Sequence, residues 1–179
     1  NWVERYCFKQ ASKIILNTES SYLAYIDAYE DIIPNERFCF IRNQFDPELY
    51  ESPSSPPGSD GPFTIAYFGH LRPSKNALLF LEAYRLWIDQ HQYSPLDTQF
   101  WMFGEVAYND AQKLLELNLS DYVKTATPVP FPKAPTILGS MDLLLDLMGP
   151  NHHLQISGKI YDYLACKRPI LSISPNREL

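Results

Sequence analysis

The chain has 179 residues, 45% of them hydrophobic and 20% charged, with a formal charge of −6 at neutral pH. This is the balance of a folded domain rich in tyrosine and phenylalanine. The acidic total argues against a nucleic-acid surface, which needs a clustered basic footprint; no apolar run approaches the ~18 residues of a membrane-spanning helix, and nothing reads as a signal peptide.

SKIILNTES (12–20) reads as a strand running into capping residues: Thr18, Glu19, Ser20 and Ser21 can satisfy the free amides of a helix over SYLAYIDAYE (21–30). RFCFIRN (37–43) is a second strand, and Pro47 breaks the chain soon after it. Residues 51–62, ESPSSPPGSDGP, hold four prolines, four serines and two glycines, a composition that resists helix and sheet and predicts a linker. Beyond it the pattern becomes regular. FTIAYFG (63–69) is an apolar strand, and SKNALLFLEAYRLWIDQ (74–90) is an amphipathic helix with apolar positions at 78, 79, 81, 84, 86 and 88. TQFWMFG is a strand, NDAQKLLELN a helix, YVKTATPVP a short strand stopped by prolines, and APTILGS a helical turn. MDLLLDLM, broken by Asp142 and Asp146, is a strand, SGKIYDYLACK (157–167) a helix, and PILSIS a last strand. Apolar strands alternating with helices predict an α/β fold with a parallel sheet covered on both faces. Right-handed crossovers make it doubly wound and Rossmann-like. Asn1 is not an initiator methionine and Leu179 follows closely on a strand and turn, so a piece of a larger protein is expected.

Cys7, Cys39 and Cys166 lie far apart without C-x-x-C spacing, which predicts reduced, mostly buried thiols in a cytosolic setting. His152 and His153 are adjacent, so their side chains diverge, and no carboxylate or cysteine cluster accompanies them; no metal site is expected.

Ligands of open α/β sheets bind outside the carboxyl ends of the strands. That rule selects Gly69–Lys75, Gly104–Glu105, Thr127–Pro130, Met148–Asn151 and Ser157–Lys159. His70, Arg72 and Lys75 follow the first strand of the regular region and Lys159 the fourth. Cations gathered on the functional edge of an acidic protein suggest an anion, and the free amides of a helix mouth at Ser157 and Gly158 suit a phosphate or pyrophosphate. Asp162 sits one turn further in, on the same helix face. It is placed either to accept hydrogen bonds from sugar hydroxyls or to sit solvated in the helix dipole, and spacing does not separate the two.

SGKIYDYLACKRPIL resembles the donor-domain motif of GT-B glycosyltransferases (group 1, retaining type), roughly P-S-K-x-Y-E-Y-L-A-x-G-K-P-V. IAYFGHLRPSKNALLFLEAY resembles that family's Y-x-G-R-L-x-x-x-K-G strand and helix, and FWMFGE its I-x-G-x-G strand end. IILNTES and FIRNQFDPELY resemble the segment closing its acceptor-side domain. The likeness runs from about residue 11 to 176. It implies that residues 1–50 close an acceptor-side domain, 51–62 link the two, and 63–179 form most of a nucleotide-sugar donor domain. By the same resemblance the donor diphosphate is held by Gly69, His70, Arg72, Lys75, Ser157, Gly158 and Lys159, with Lys75 and Lys159 stabilising the leaving group. Asp162 takes the ribose, and Thr127, Pro128, Val129 and Pro130 surround the base.

The departures are His70 for an arginine, Asn76 for a glycine, Leu154 for the first of two glutamates, Asp162 for the second, and Lys167 for a helix-end glycine. The function implied is glycosyl transfer from a nucleoside-diphosphate sugar to an acceptor hydroxyl, without metal or other cofactor. The acceptor would be a sugar or lipid-linked saccharide held by the missing domain, so this piece alone is expected to be inactive. The location implied is cytoplasmic, with peripheral contact at the inner face of a membrane compatible with it. The competing readings are a degenerate, non-catalytic nucleotide-sugar-binding domain and a nucleotide-sugar epimerase of similar shape.

Overall fold

The computed structural model describes residues 2–50, 61–70, 77–106 and 108–178. Most of the predicted linker, together with Arg72, Lys75 and Asn76, lies outside them.

The N-terminal part is a small unit with its own core. Helix α1 (Trp2–Gln10) leads to strand β1 (Ile14–Leu16), helix α2 (Glu19–Tyr29) and strand β2 (Phe38–Phe40), and β1 and β2 pair in parallel. Ile14, Tyr29, Ile33 and Phe38 are buried together, with Phe8 of α1 packed edge-on to Tyr29 at 5.0 Å. α1 has no counterpart among the sequence expectations. Phe8 is its one side chain packed on that core, and Trp2, Val3 and Tyr6 face solvent, so it carries no repeated apolar stripe to detect. Thr18 caps α2 as its position predicts: its side-chain oxygen accepts the Ser21 amide at 3.1 Å. A 3₁₀ turn over Pro47–Tyr50 follows β2.

The rest is a five-stranded sheet. Strands β3 (Phe63–Phe68), β4 (Thr98–Phe103), β5 (Val123–Ala126), β6 (Leu143–Leu147) and β7 (Ile170–Ile173) lie in the order β5-β4-β3-β6-β7. Every pairing is parallel. The chain winds outward from β3 through β4 to β5, then returns beside β3 for β6 and β7. The switch point therefore falls between β3 and β6, and the doubly wound expectation holds.

Helices α3 (Ala77–His91) and α4 (Tyr108–Glu116) belong to one face, where Tyr67, Phe80, Leu81, Phe100 and Leu145 are buried together. Helices α5 (Ala134–Gly139) and α6 (Lys159–Ala165) cover the other, over Ala66, Leu138, Leu144, Ile160 and Tyr163. One expectation about α3 is corrected. Its buried stripe is Ala77, Phe80, Leu81, Tyr84 and Ile88, while Leu78, Leu79 and Leu86 are 40%, 55% and 69% exposed. The helix holds more apolar residues than one i, i+3, i+4 stripe can bury, so leucine content misplaces the buried face.

The small unit is tied to the sheet by side chains distant in sequence. The Thr18 hydroxyl donates to the Leu154 carbonyl at 2.5 Å. Both oxygens of Glu178 accept backbone amides at the start of α2, from Ser20 at 2.6 Å and Glu19 at 2.9 Å, and Arg42 stands 3.4 Å away. Burial raises the Glu178 pKa, but the hydrogen bonds from Ser20 and Glu19 and the charge of Arg42 together outweigh it and hold the carboxyl below its usual value.

Candidate functional site

The carboxyl ends of β3 and β4 meet very closely. Each ends in a glycine of positive φ, Gly69 at +128° and Gly104 at +153°. The Gly69 amide donates to the Phe103 carbonyl at 3.0 Å and the Gly104 amide to the Ala126 carbonyl at 3.1 Å, so the ladder continues past the strands. A Cβ on Gly104 would lie 2.4 Å from the Gly69 carbonyl oxygen, which only glycine permits. This approach sets His70 over the β4 loop. Its Nδ1 accepts the Glu105 amide at 3.3 Å, and the Glu105 carboxylate lies 3.7 Å from the same nitrogen. The tautomer implied carries its proton on Nε2, directed away from that amide.

Across the switch point, the loop after β6 delivers Ser157, Gly158 and Lys159. Ser157 is buried, while a Cβ on Gly158 would meet nothing within 4 Å. Among the described residues neither the Ser157 nor the Gly158 amide is engaged in a hydrogen bond. Lys159 begins α6, and its ammonium lies over the Tyr67 ring, 4.1 Å from the centroid. The same nitrogen would touch a Cβ on Gly69 at 3.4 Å. Lys159 thus reaches from α6 to the end of β3, bringing together residues 90 apart in sequence. α6 is shorter than the predicted 157–167: Gly158 is its N-cap residue, without a side-chain cap, and the Cys166 amide closes the helix on the Asp162 and Leu164 carbonyls.

The predicted base-side residues separate. Thr127 and Pro128 line an open groove of about 530 Å³ together with Gly104, Glu105, Val106 and Thr125. Val129 packs against the second core and Pro130 opens the 3₁₀ turn that leads into α5. The groove adjoins Gly104, so it is continuous with the β3–β4 end of the site.

Asp162 lies half-buried on the first turns of α6, with a partner that sequence reasoning missed. The Tyr50 hydroxyl donates to its Oδ1 at 2.6 Å. Burial and then the Asp162 carboxylate push the Tyr50 hydroxyl far above the ordinary phenol value, so it stays protonated and donating. An aromatic residue just before a proline-rich stretch is the only local signal for this contact, and it gives no hint of the partner.

Cys166 follows one turn later. Burial, then the charge of Asp162, push its thiol up to about 11 against the opposing effect of Arg168. It is therefore a protonated core residue, without thiolate character. The expectation of mostly buried thiols is corrected: only Cys166 is buried, Cys39 on β2 is half-buried, and Cys7 is exposed because α1 turns that face to solvent. Among the described residues there is no cluster of three or more histidine, cysteine and carboxylate side chains able to hold a metal ion. No described helix is long and apolar enough to cross a membrane.

No protein-family model and no curated protein matches the sequence. Solved structures do match. Anabaena Alr3699/HepE in complex with UDP-glucose superposes with a TM-score of 0.70 at 20% identity, over 96% of this chain and 47% of that one. The pneumococcal O-GlcNAc transferase GtfA in complex with UDP and GlcNAc gives 0.61 at 14% identity, over 96% and 32%. The C-terminal domain of a glycosyl transferase group 1 family protein (LpcC) from Francisella tularensis gives 0.51 at 16% identity, over 72% and 69%. The chain thus spans about a third to a half of the length of HepE and GtfA. Together with the strand order, these likenesses give the chain the fold of the GT-B glycosyltransferases, with its five-stranded sheet as the Rossmann-like domain.

Proposed function

We propose that the switch-point edge of the five-stranded sheet binds a nucleoside-diphosphate sugar, and that the whole protein transfers its glycosyl group to an acceptor hydroxyl. The observation that carries this reading is the convergence of the Lys159 ammonium on Gly69 beside the Ser157 and Gly158 amides. A cation, free backbone donors and open space beside Gly158 together suit a diphosphate. The UDP and UDP-glucose held by GtfA and HepE support the same ligand class.

In this reading Lys159, with Lys75, which precedes α3 in the sequence, takes up negative charge as the diphosphate leaves. A fixed cation does this without a metal ion or any other cofactor. Gly69, His70 and Arg72 complete the diphosphate side. Asp162 accepts from a ribose hydroxyl, and Thr127 to Pro130 flank the base at the groove beside Gly104. Residues 1–50 close an acceptor-side domain, 51–62 connect it, and 63–179 form most of the donor domain. The acceptor, a sugar or lipid-linked saccharide, is held by the rest of the acceptor-side domain. The reaction belongs on the cytoplasmic side, with peripheral contact at the inner membrane face.

The test is calorimetric titration and thermal unfolding of the chain with UDP, GDP, ADP and pyrophosphate, each with and without magnesium. One nucleoside diphosphate binding and stabilising the protein independently of magnesium is the expected result. Pyrophosphate binding as tightly as every nucleotide would remove the nucleoside from the reading, and absence of binding by all four would overturn it.

A further inference from the structure

The contact between Tyr50 and Asp162 joins the turn after β2 to the helix that forms the switch-point mouth. Its oxygens are 2.6 Å apart, within the range of a charge-assisted O–H···O⁻ bond. Only Oδ1 of Asp162 is engaged; Oδ2 accepts nothing among the described residues.

Tyr50 is itself held firmly. Its ring packs against the second core and meets Phe45 edge-on at 5.7 Å. A shallow pocket of about 290 Å³, lined by Phe45, Pro47, Tyr161 and Leu164 among others, runs where the turn lies against α6. The phenol is therefore a fixed donor and the carboxylate the group that follows it.

We propose that Tyr50 is a positioning residue for ribose recognition: its hydroxyl orients Asp162 through Oδ1 and leaves Oδ2 as the acceptor for a sugar hydroxyl. The proposal rests on the reading of this edge as a nucleoside-diphosphate site. An aspartate is one methylene shorter than a glutamate, so its reach depends on how its carboxylate is turned. Orienting it in advance removes an ordering cost from ligand binding. With one oxygen committed to Tyr50, Asp162 presents a single free oxygen to the ribose, where an unheld carboxylate would offer both.

Calorimetry on the whole chain separates this role from its rivals. The ligands are whichever of UDP, GDP and ADP binds the wild type, the 2′,3′-dideoxy form of the same nucleotide, and pyrophosphate. Tyr50→Phe, which removes one oxygen and keeps the ring, is expected to weaken the ribonucleotide by on the order of five- to tenfold. The dideoxynucleotide and pyrophosphate should bind as before, so the preference for the ribose hydroxyls collapses. Asp162→Asn, with Tyr50 intact, should lose the same preference, and adding Tyr50→Phe to it should cost little more.

A gain in ribonucleotide affinity for Tyr50→Phe would make Tyr50 a competitor for the subsite and overturn the proposal. Equal loss for all three ligands would make it a purely structural support, and an unchanged preference would make it irrelevant; either refutes positioning. Retention of the preference by Asp162→Asn refutes it without reference to the tyrosine variant. A wild type that binds no nucleotide fails the parent reading itself. A wild type that discriminates while Tyr50→Phe discriminates equally fails only the role of Tyr50.

Discussion

Replacing Gly104 by alanine would set a Cβ 2.4 Å from the Gly69 carbonyl oxygen, 2.7 Å from its carbon and 3.3 Å from the His70 nitrogen. All three are backbone atoms, and the Gly69 amide is tied to the Phe103 carbonyl at 3.0 Å, so no side chain can move aside to make room. The φ of +153° adds strain for any residue with a Cβ. An unfavourable backbone conformation costs about 1–3 kcal/mol, and overpacking a close-packed site about as much again. Their sum, about 2–6 kcal/mol, corresponds at roughly 2–4 °C per kcal/mol to a fall in melting temperature of between about 4 and 24 °C. Gly158→Ala is the control: nothing lies within 4 Å of its Cβ and its φ is −58°. Its melting temperature should stay within about 2 °C of wild type, while its new methyl group obstructs an anion approaching the amides. Circular dichroism melts of both variants, paired with nucleotide titrations, read the two effects separately. A Gly104→Ala protein melting with the wild type, or a Gly158→Ala protein destabilised as much as Gly104→Ala, would refute the account of the strand ends.

Lys159→Ala should weaken nucleoside-diphosphate binding by about 1.5–3 kcal/mol, the worth of a hydrogen bond to a charged group, as read by calorimetry; unchanged affinity would remove the lysine from the site. Native-state alkylation at pH 8 followed by mass spectrometry should label exposed Cys7 and spare Cys166, whose thiol is buried and pushed up to about 11; rapid labelling of Cys166 would contradict its core placement. Glu178 has a depressed folded-state pKa, so its contribution to stability is present above the unfolded carboxyl value of 4.5 and is lost as pH falls through the folded value. Protection of the Glu19 and Ser20 amides, relative to their intrinsic exchange rates at each pH, should accordingly fall on acidification below that value and in Glu178→Gln at neutral pH; equal protection in wild type and variant would exclude the clamp.

The parts of the fold that were legible in the sequence are those encoded locally. Apolar runs such as FTIAYF and LLLDL become parallel strands because covered strands need no polar alternation, and glycines at 69 and 104 mark the strand ends they terminate. Thr18 is legible as a cap because its bond to Ser21 spans three residues. What escaped is set by partners far away. Tyr50 and Asp162 are separated by 112 positions, and Glu178 reaches Ser20 across 158; no window of local pattern contains either pair. The phase of α3 is hidden for a related reason: which leucines are buried depends on how the helix is rolled against the sheet, and Phe80 and Tyr84, packed edge-on against Phe100, decide it. α1 escaped because Phe8 is its one side chain packed on a core, too little to make a periodic stripe.

The most direct test of the account is a two-dimensional amide NMR titration of the chain with the nucleoside diphosphate it binds. Seven glycines make those resonances few and separable. The account predicts that Gly69, Gly104 and Gly158 shift together with Lys159 and Asp162, saturating at one affinity, while the amides of α1 and of the small unit stay in place. Shifts confined to another surface, with Gly69, Gly104 and Gly158 unmoved, would contradict the placement of a nucleotide at the switch point between β3 and β6.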